Sequence, residues 1–135
     1  MPGNDAPLIL ALVDDLFFVS RIENVVQRLG FQIQFVENAV SEAACGQFAE
    51  MVAEKSPALI LIDLNLKTFP WADCIPVIKA SPQISQIPIL AFGSHKDVPT
   101  MTRAKEVGID VVLAKSRFTE AMGTLIRKHA RKDDW

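Results

Sequence analysis

The sequence predicts an α/β fold in which a parallel sheet is covered by helices on both faces, and three observations carry that expectation. Short aliphatic runs alternate along the chain with segments whose apolar residues recur every three or four positions, the pattern of strands joined by crossover helices. One run, Ala58 to Asn65 (ALILIDLN), is aliphatic almost without interruption. It is too short for a buried helix and reads as a central strand hidden on both faces. Finally, this run and the first one, Leu8 to Val13, both end in acid, at Asp63 and at Asp14-Asp15.

In chain order, Leu8 to Val13 is the first strand. Phe18, Ile22, Val25 and Leu29 then recur at helical spacing, with Gly30 as the helix stop. Phe31 to Val36 alternates apolar and polar residues with period two, as in a strand exposed on one side, and belongs at an edge. Asn38 or Ser41 caps an Ala-rich helix reaching Glu54, with Val40, Ala44, Phe48 and Val52 as its buried stripe. After the central strand, a loop with Lys67-Thr68-Phe69-Pro70 leads into a helix from about Trp71 to Ala80, which Pro76 is expected to shorten or kink. Ser81-Pro82 breaks the chain before a fourth strand, Ile87 to Phe92, with Pro88 near its start. Asp97 and Pro99 initiate a fourth helix, which buries Met101, Ala104 and Val107 and stops at Gly108. Asp110 to Ala114 is the fifth strand and ends at Lys115. A last helix from about Thr119 to Arg131 buries Met122, Leu125 and Ile126.

The chain has 135 residues, half of them apolar, enough for one domain with a real core, spanning about residues 7–131. A formal net charge of -2 gives no footprint for nucleic acid. The basic residues Arg127, Lys128, Arg131 and Lys132 near the end suit the C-terminal turn of a helix. Cys45 and Cys74 lie far apart with no CxxC or Cys/His pattern, so reduced thiols are expected rather than a zinc site or a disulfide. Met1 to Pro7 lacks the basic start and apolar stretch of a signal peptide, and no apolar run reaches membrane-spanning length. A cytoplasmic protein without a membrane partner follows. The last helix ends close to Trp135, so no output domain is expected.

Right-handed crossovers leave few topologies for five alternating strands and helices. The flavodoxin-like doubly wound order 2-1-3-4-5 makes the alternating strand an edge and centres the two most aliphatic runs. In that order the first and third strands are neighbours, and Asp14, Asp15 and Asp63 converge at the carboxyl edge. Gly93, Ser94 and His95 arrive there from the fourth strand and Lys115 from the fifth. Two like charges about 4 Å apart repel by about 4 kcal/mol at an effective dielectric near 20. Three close carboxylates therefore call for a cation or a proton. Mg²⁺, which prefers carboxylates, carbonyls and water, meets that need, and Lys115 adds a second positive charge.

Val13-Asp14-Asp15, Ile62-Asp63-Leu64-Asn65 and Leu113-Ala114-Lys115 at these strand ends together resemble the receiver domain of two-component response regulators, over nearly the whole chain. The resemblance implies that Asp63 is the phosphoacceptor. It implies that Asp14 and Asp15 bind Mg²⁺ together with Asp63 and the backbone carbonyl of Asn65, and that Lys115 steadies the phosphoryl group. A histidine kinase or phosphotransfer protein is the implied donor, and a downstream protein the implied target. A homodimer through the face of the fourth helix, fifth strand and fifth helix is a further implied partner.

The sequence also departs from that pattern. The hydroxyl residue usual at the end of the fourth strand is Gly93, with Ser94 one residue late; the aromatic switch position is Val112, and the chain has no Tyr. The Pro usual after the Lys is Ser116, for which a trans peptide bond is expected. Lys67 and Trp71 replace the Pro and Gly usual after the acceptor. Phe69 and Trp71 read either as interface anchors beside the pocket or as packing over the third helix, and His95 as a solvated loop residue. Two functions are compatible with these residues. One is a receiver whose only catalysis is its own Mg²⁺-dependent phosphorylation and dephosphorylation at Asp63. The other is a pseudo-receiver, an interaction module that does not switch by phosphorylation.

Overall fold

The structure is a computed structural model that describes residues 6–36 and 44–131. Its five strands are β1 (Leu8–Leu12), β2 (Gln32–Phe35), β3 (Leu59–Asp63), β4 (Ile89–Gly93) and β5 (Val111–Ala114). All neighbours pair in parallel and the order is β2-β1-β3-β4-β5. This is the flavodoxin-like arrangement expected from the sequence.

The period-two side-chain alternation of the strands divides the core between the faces of the sheet. Leu10, Leu12, Ile60, Ile62, Ile89 and Ala91 pack with α2 (Ala44–Lys55), α3 (Trp71–Ala80) and α4 (Val98–Glu106). Ile9, Ala11, Leu59, Leu61, Leu90 and Phe92 pack with α1 (Leu16–Arg28), α5 (Lys115–Glu120) and α6 (Met122–His129). Every residue of β3 is buried, whereas those of β2 are half-buried, as their central and edge positions require.

The helices follow their local signals with some differences. α1 is capped by Asp15, whose carboxylate accepts the Phe18 N–H at 3.1 Å. Phe18, Ile22 and Val26 are its buried residues, and Val25 and Leu29 are partly buried against the same cluster. The start of α2 at Asn38 or Ser41, with Val40, lies outside the described residues; Ala44, Phe48 and Val52 form its stripe as expected. α3 runs unshortened through Pro76, whose ring is exposed. Asp97 caps α4 by accepting the Thr100 N–H at 3.2 Å.

The single last helix expected from Thr119 is in fact two. α5 starts at Lys115, immediately after β5, and the chain breaks at Ala121 before α6. Phe118 explains the early start, since a helix from Lys115 seats its ring flat against Phe92, centroids 4.7 Å apart, with Phe18 tilted 5.1 Å from Phe92.

One further expectation is corrected, and for Phe69 and Trp71 the packing alternative holds. Cys45 and Cys74 are joined by a disulfide between α2 and α3, with their Cα atoms 4.7 Å apart. The pairing was invisible in the sequence because it depends on two helices lying side by side on one face of the sheet. Phe69 and Trp71 are core rather than docking surface, at 5% and 9% exposure. Phe69 meets Phe48 of α2 edge-on at 5.1 Å.

At the opposite edge of the sheet, Asp110 accepts both the Lys79 ammonium and the Ile89 N–H, each at 2.8 Å, tying α3 and the starts of β4 and β5 together. Gly108 makes the turn before it with φ +104°, and a Cβ there would meet Lys79 Cγ at 3.2 Å. Gly108→Ala is therefore expected to destabilise the protein by about 1 kcal/mol or more, read as a lower urea midpoint with an unchanged m-value.

Candidate functional site

The carboxyl edge of the sheet collects the acidic residues because β1 and β3 are adjacent, in the register Leu12 to Ile62. Asp63 is the last residue of β3 and is buried, at 5% exposure. One of its carboxylate oxygens accepts the Asn65 N–H at 2.9 Å, a local turn that also aims the following loop. Asp14 and Asp15 lie just past β1 and are exposed. Asp15 spends one oxygen on the α1 cap.

Burial pushes the Asp63 carboxyl above the ordinary carboxylate range, since low polarity penalises the charged form. The Asn65 N–H and the Lys115 ammonium pull it back, and the charges of Asp14 and Asp15 push it further up. All four residues thus act on one carboxylate. Lys115 is the first residue of α5, and its ammonium lies 4.7 Å from the centroid of the Phe18 ring, a contact that holds the cation over an aromatic face. It makes no direct ion pair with Asp63; the salt bridge found among the described residues is Lys79 to Asp110. The Lys115–Ser116 peptide bond is trans.

The donor set of Asp14, Asp15, Asp63 and the Asn65 carbonyl is all oxygen, which suits a hard divalent cation in kind. Among the described residues, however, no three acidic, His or Cys side chains gather closely enough to hold an ion as they stand. One oxygen of Asp15 is already committed to the Phe18 N–H of the α1 cap.

At the end of β4, a Cβ on Gly93 would meet Leu64 Cβ and Cδ1 at 3.3 Å and Met101 Sδ at 3.4 Å. Leu64 and Met101 fill the space a hydroxyl residue would need. Gly93 has no positive φ, so the backbone makes no left-handed twist toward the pocket there. The Ser94 hydroxyl oxygen accepts the Lys96 N–H at 3.2 Å within the loop. His95 is exposed, and Val112 is half-buried against the α3 and α4 side of the core.

Two surface residues escaped the sequence reading. Leu16 and Phe17, directly after the acid pair, are each 83% exposed. With Ser20, Arg21 and Asn24 they line a groove of about 680 Å³ along α1. The available signal was that both fall off the Phe18, Ile22, Val25, Leu29 pattern. Loop residues beyond Asp63 are held from the other side, by the Trp71 Nε1–H donating to the Leu64 carbonyl at 3.2 Å.

Because the Asp63 carboxyl titrates above its ordinary value of 3.8, the folded chain binds a proton that the unfolded chain has released. Stability therefore falls as pH rises from 3.8 through that raised value. Asp63→Asn removes this cost. It is expected to stabilise the protein on the order of 1 kcal/mol at neutral pH, with the gain vanishing as pH falls below the ordinary carboxylate value, as measured by urea unfolding across pH.

No protein-family model and no curated protein sequence matches the chain. Solved structures do. The signal receiver domain of a response regulator from Bermanella marisrubri aligns with 93% of this chain and 98% of its own at 22% identity and a TM-score of 0.73. The phosphorylated cyanobacterial phytochrome response regulator RcpA aligns over 92% and 94% at 16% identity and a TM-score of 0.70. The Mn²⁺-bound form of response regulator Rcp1 aligns over 90% of each chain at 19% identity and a TM-score of 0.64. The strand order, the acid-bearing strand ends and these likenesses together identify the fold as that of response-regulator receiver domains.

Proposed function

We propose that this chain is a receiver in a two-component phosphorelay, accepting a phosphoryl group on Asp63. The observation that supports it most directly is the electrostatic convergence of Asp14, Asp15 and Lys115 on a buried Asp63 at the carboxyl end of β3. An ionised Asp63 oxygen attacks phosphorus as the bond to the donor, a phosphohistidine or a small acyl phosphate, breaks. Lys115, restrained on Phe18, offsets charge on the transferred oxygens. Asp14, Asp15, Asp63 and the Asn65 carbonyl are the residues that would hold Mg²⁺, which would supply the charge neutralisation that close carboxylates and phosphoryl oxygens require. Asp14 and Asp15 have to move toward Asp63 for this, which favours weak binding. The same reading places the protein in the cytoplasm and makes its catalysis limited to its own Asp63.

A partner presenting phosphohistidine must approach this edge, and Leu16 and Phe17 with the α1 groove beside Asp15 are the exposed apolar surface there. The pseudo-receiver reading is favoured by one feature, the filling of the Gly93 position by Leu64 and Met101. A loop without the hydroxyl contact lacks the differential interaction that would shift it on phosphorylation.

Incubation with Mg²⁺ and a small acyl phosphate is expected to add one phosphoryl group by intact mass, with no adduct in Asp63→Asn. A wild-type chain without an adduct would favour the pseudo-receiver. Amide shift changes with a phosphoryl mimic are expected to stay near Asp63 and to fade before α4 and β5. Phe17→Ala is expected to cost about 2 kcal/mol in binding the cognate phosphodonor protein, while leaving acyl-phosphate labelling at the wild-type rate.

A further inference from the structure

The disulfide between α2 and α3 is unused by the chemistry above, and its surroundings connect it to the acceptor. We propose that Cys45–Cys74 is a thiol-exchange site opened by a dithiol reductant, and that its state sets how firmly the loop after Asp63 is held. Four observations converge on it. The chain has two cysteines, so the reduced form can close only this one intramolecular bond. The two cysteines are unequally exposed, since Cys74 is fully buried while Cys45 is half-buried on α2. Cys74 is one turn into α3, whose first residue, Trp71, donates its indole N–H to the carbonyl of Leu64, next to Asp63. Cys45 is one turn before Phe48, which packs edge-on against Phe69 of that same loop. The bond therefore ties α2 to both aromatic side chains that cover the loop.

The access difference fixes the direction of exchange. A thiolate of the reductant attacks the sulfur of Cys45, the more exposed of the two residues, the S–S bond breaks, and Cys74 leaves as a thiolate that takes up a proton. The second thiol of the reductant then attacks the mixed disulfide and releases Cys45 as a thiol. Two electrons and two protons pass to the protein, and the reductant becomes a cyclic or intramolecular disulfide. In a cytoplasmic protein, bonds of this kind are typically transient and redox-sensing rather than permanent. That setting rests on the receiver reading; the exchange chemistry itself does not.

The test uses the full oxidised chain. Dithiothreitol without denaturant is expected to open the bond, with alkylation and peptide mapping finding Cys45 modified ahead of Cys74. In the reduced chain, hydrogen exchange at the amides of Asn65, Leu66 and Trp71 is expected to quicken about tenfold, while the β1 amides keep their rates. Cys45→Ser is expected to show the fast rates with or without reductant. A bond that opens only in denaturant, or one that opens and leaves those three amides unchanged, overturns the proposal. Neither readout involves phosphate or metal. A chain that passes both and takes no phosphoryl adduct overturns the function proposed above and leaves the exchange site standing.

Discussion

Burial of β3 on both faces is the constraint from which the rest of the structure follows. Leu59, Ile60, Leu61 and Ile62 are all fully buried, and hiding a side chain of this size contributes about 1.5–3 kcal/mol each. A strand that apolar needs a paired neighbour on each edge and helices above and below. β1 and β4 supply the first and the helical layers the second. The same burial places Asp63 where the aliphatic run stops, buried at the carboxyl end of the strand. Its raised protonation equilibrium is a direct result of that position.

The edge around Asp63 is organised by contacts that do more than one task. Asp15 is both a helix cap and an acid whose charge acts on Asp63. Phe18 is a core residue of α1, a member of the ring cluster with Phe92 and Phe118, and the platform under the Lys115 ammonium. Because α5 begins at Lys115 to seat Phe118, the packing of an aromatic core residue decides where the cation stands. A substitution that reshapes that ring cluster therefore acts on the site without touching it.

Apolar packing has taken over on the β4 side. Leu64 and Met101 stand against Gly93, and Phe48, Phe69 and Trp71 hold the loop that follows Asp63. The disulfide adds a covalent link to that second cluster. In place of hydroxyl and aromatic groups that respond to a charged oxygen, Asp63 is flanked by side chains that respond to volume and to cross-linking. This changes which perturbations the two loops can feel, since dispersion contacts are insensitive to a new charge while a lost tether is felt through the whole packed layer.

Local sequence determined much of this molecule. Hydrophobic periodicity marked all five strands and nearly every helix, because period two and period 3.6 are written residue by residue. The most aliphatic run and the alternating run determined which strand is central and which is an edge, and with them the order that brings Asp14, Asp15 and Asp63 to one side. Tertiary structure alone decided what depends on residues distant in the chain. The Cys45–Cys74 bond requires α2 and α3 to lie together. The early start of α5 and the perch of Lys115 require Phe18, Phe92 and Phe118 to meet. The burial of Phe69 and Trp71, and the exposure of Leu16 and Phe17, were set by which neighbours each side chain found. Periodicity says that a residue prefers to be hidden; only the packed fold decides whether a partner is there to hide it.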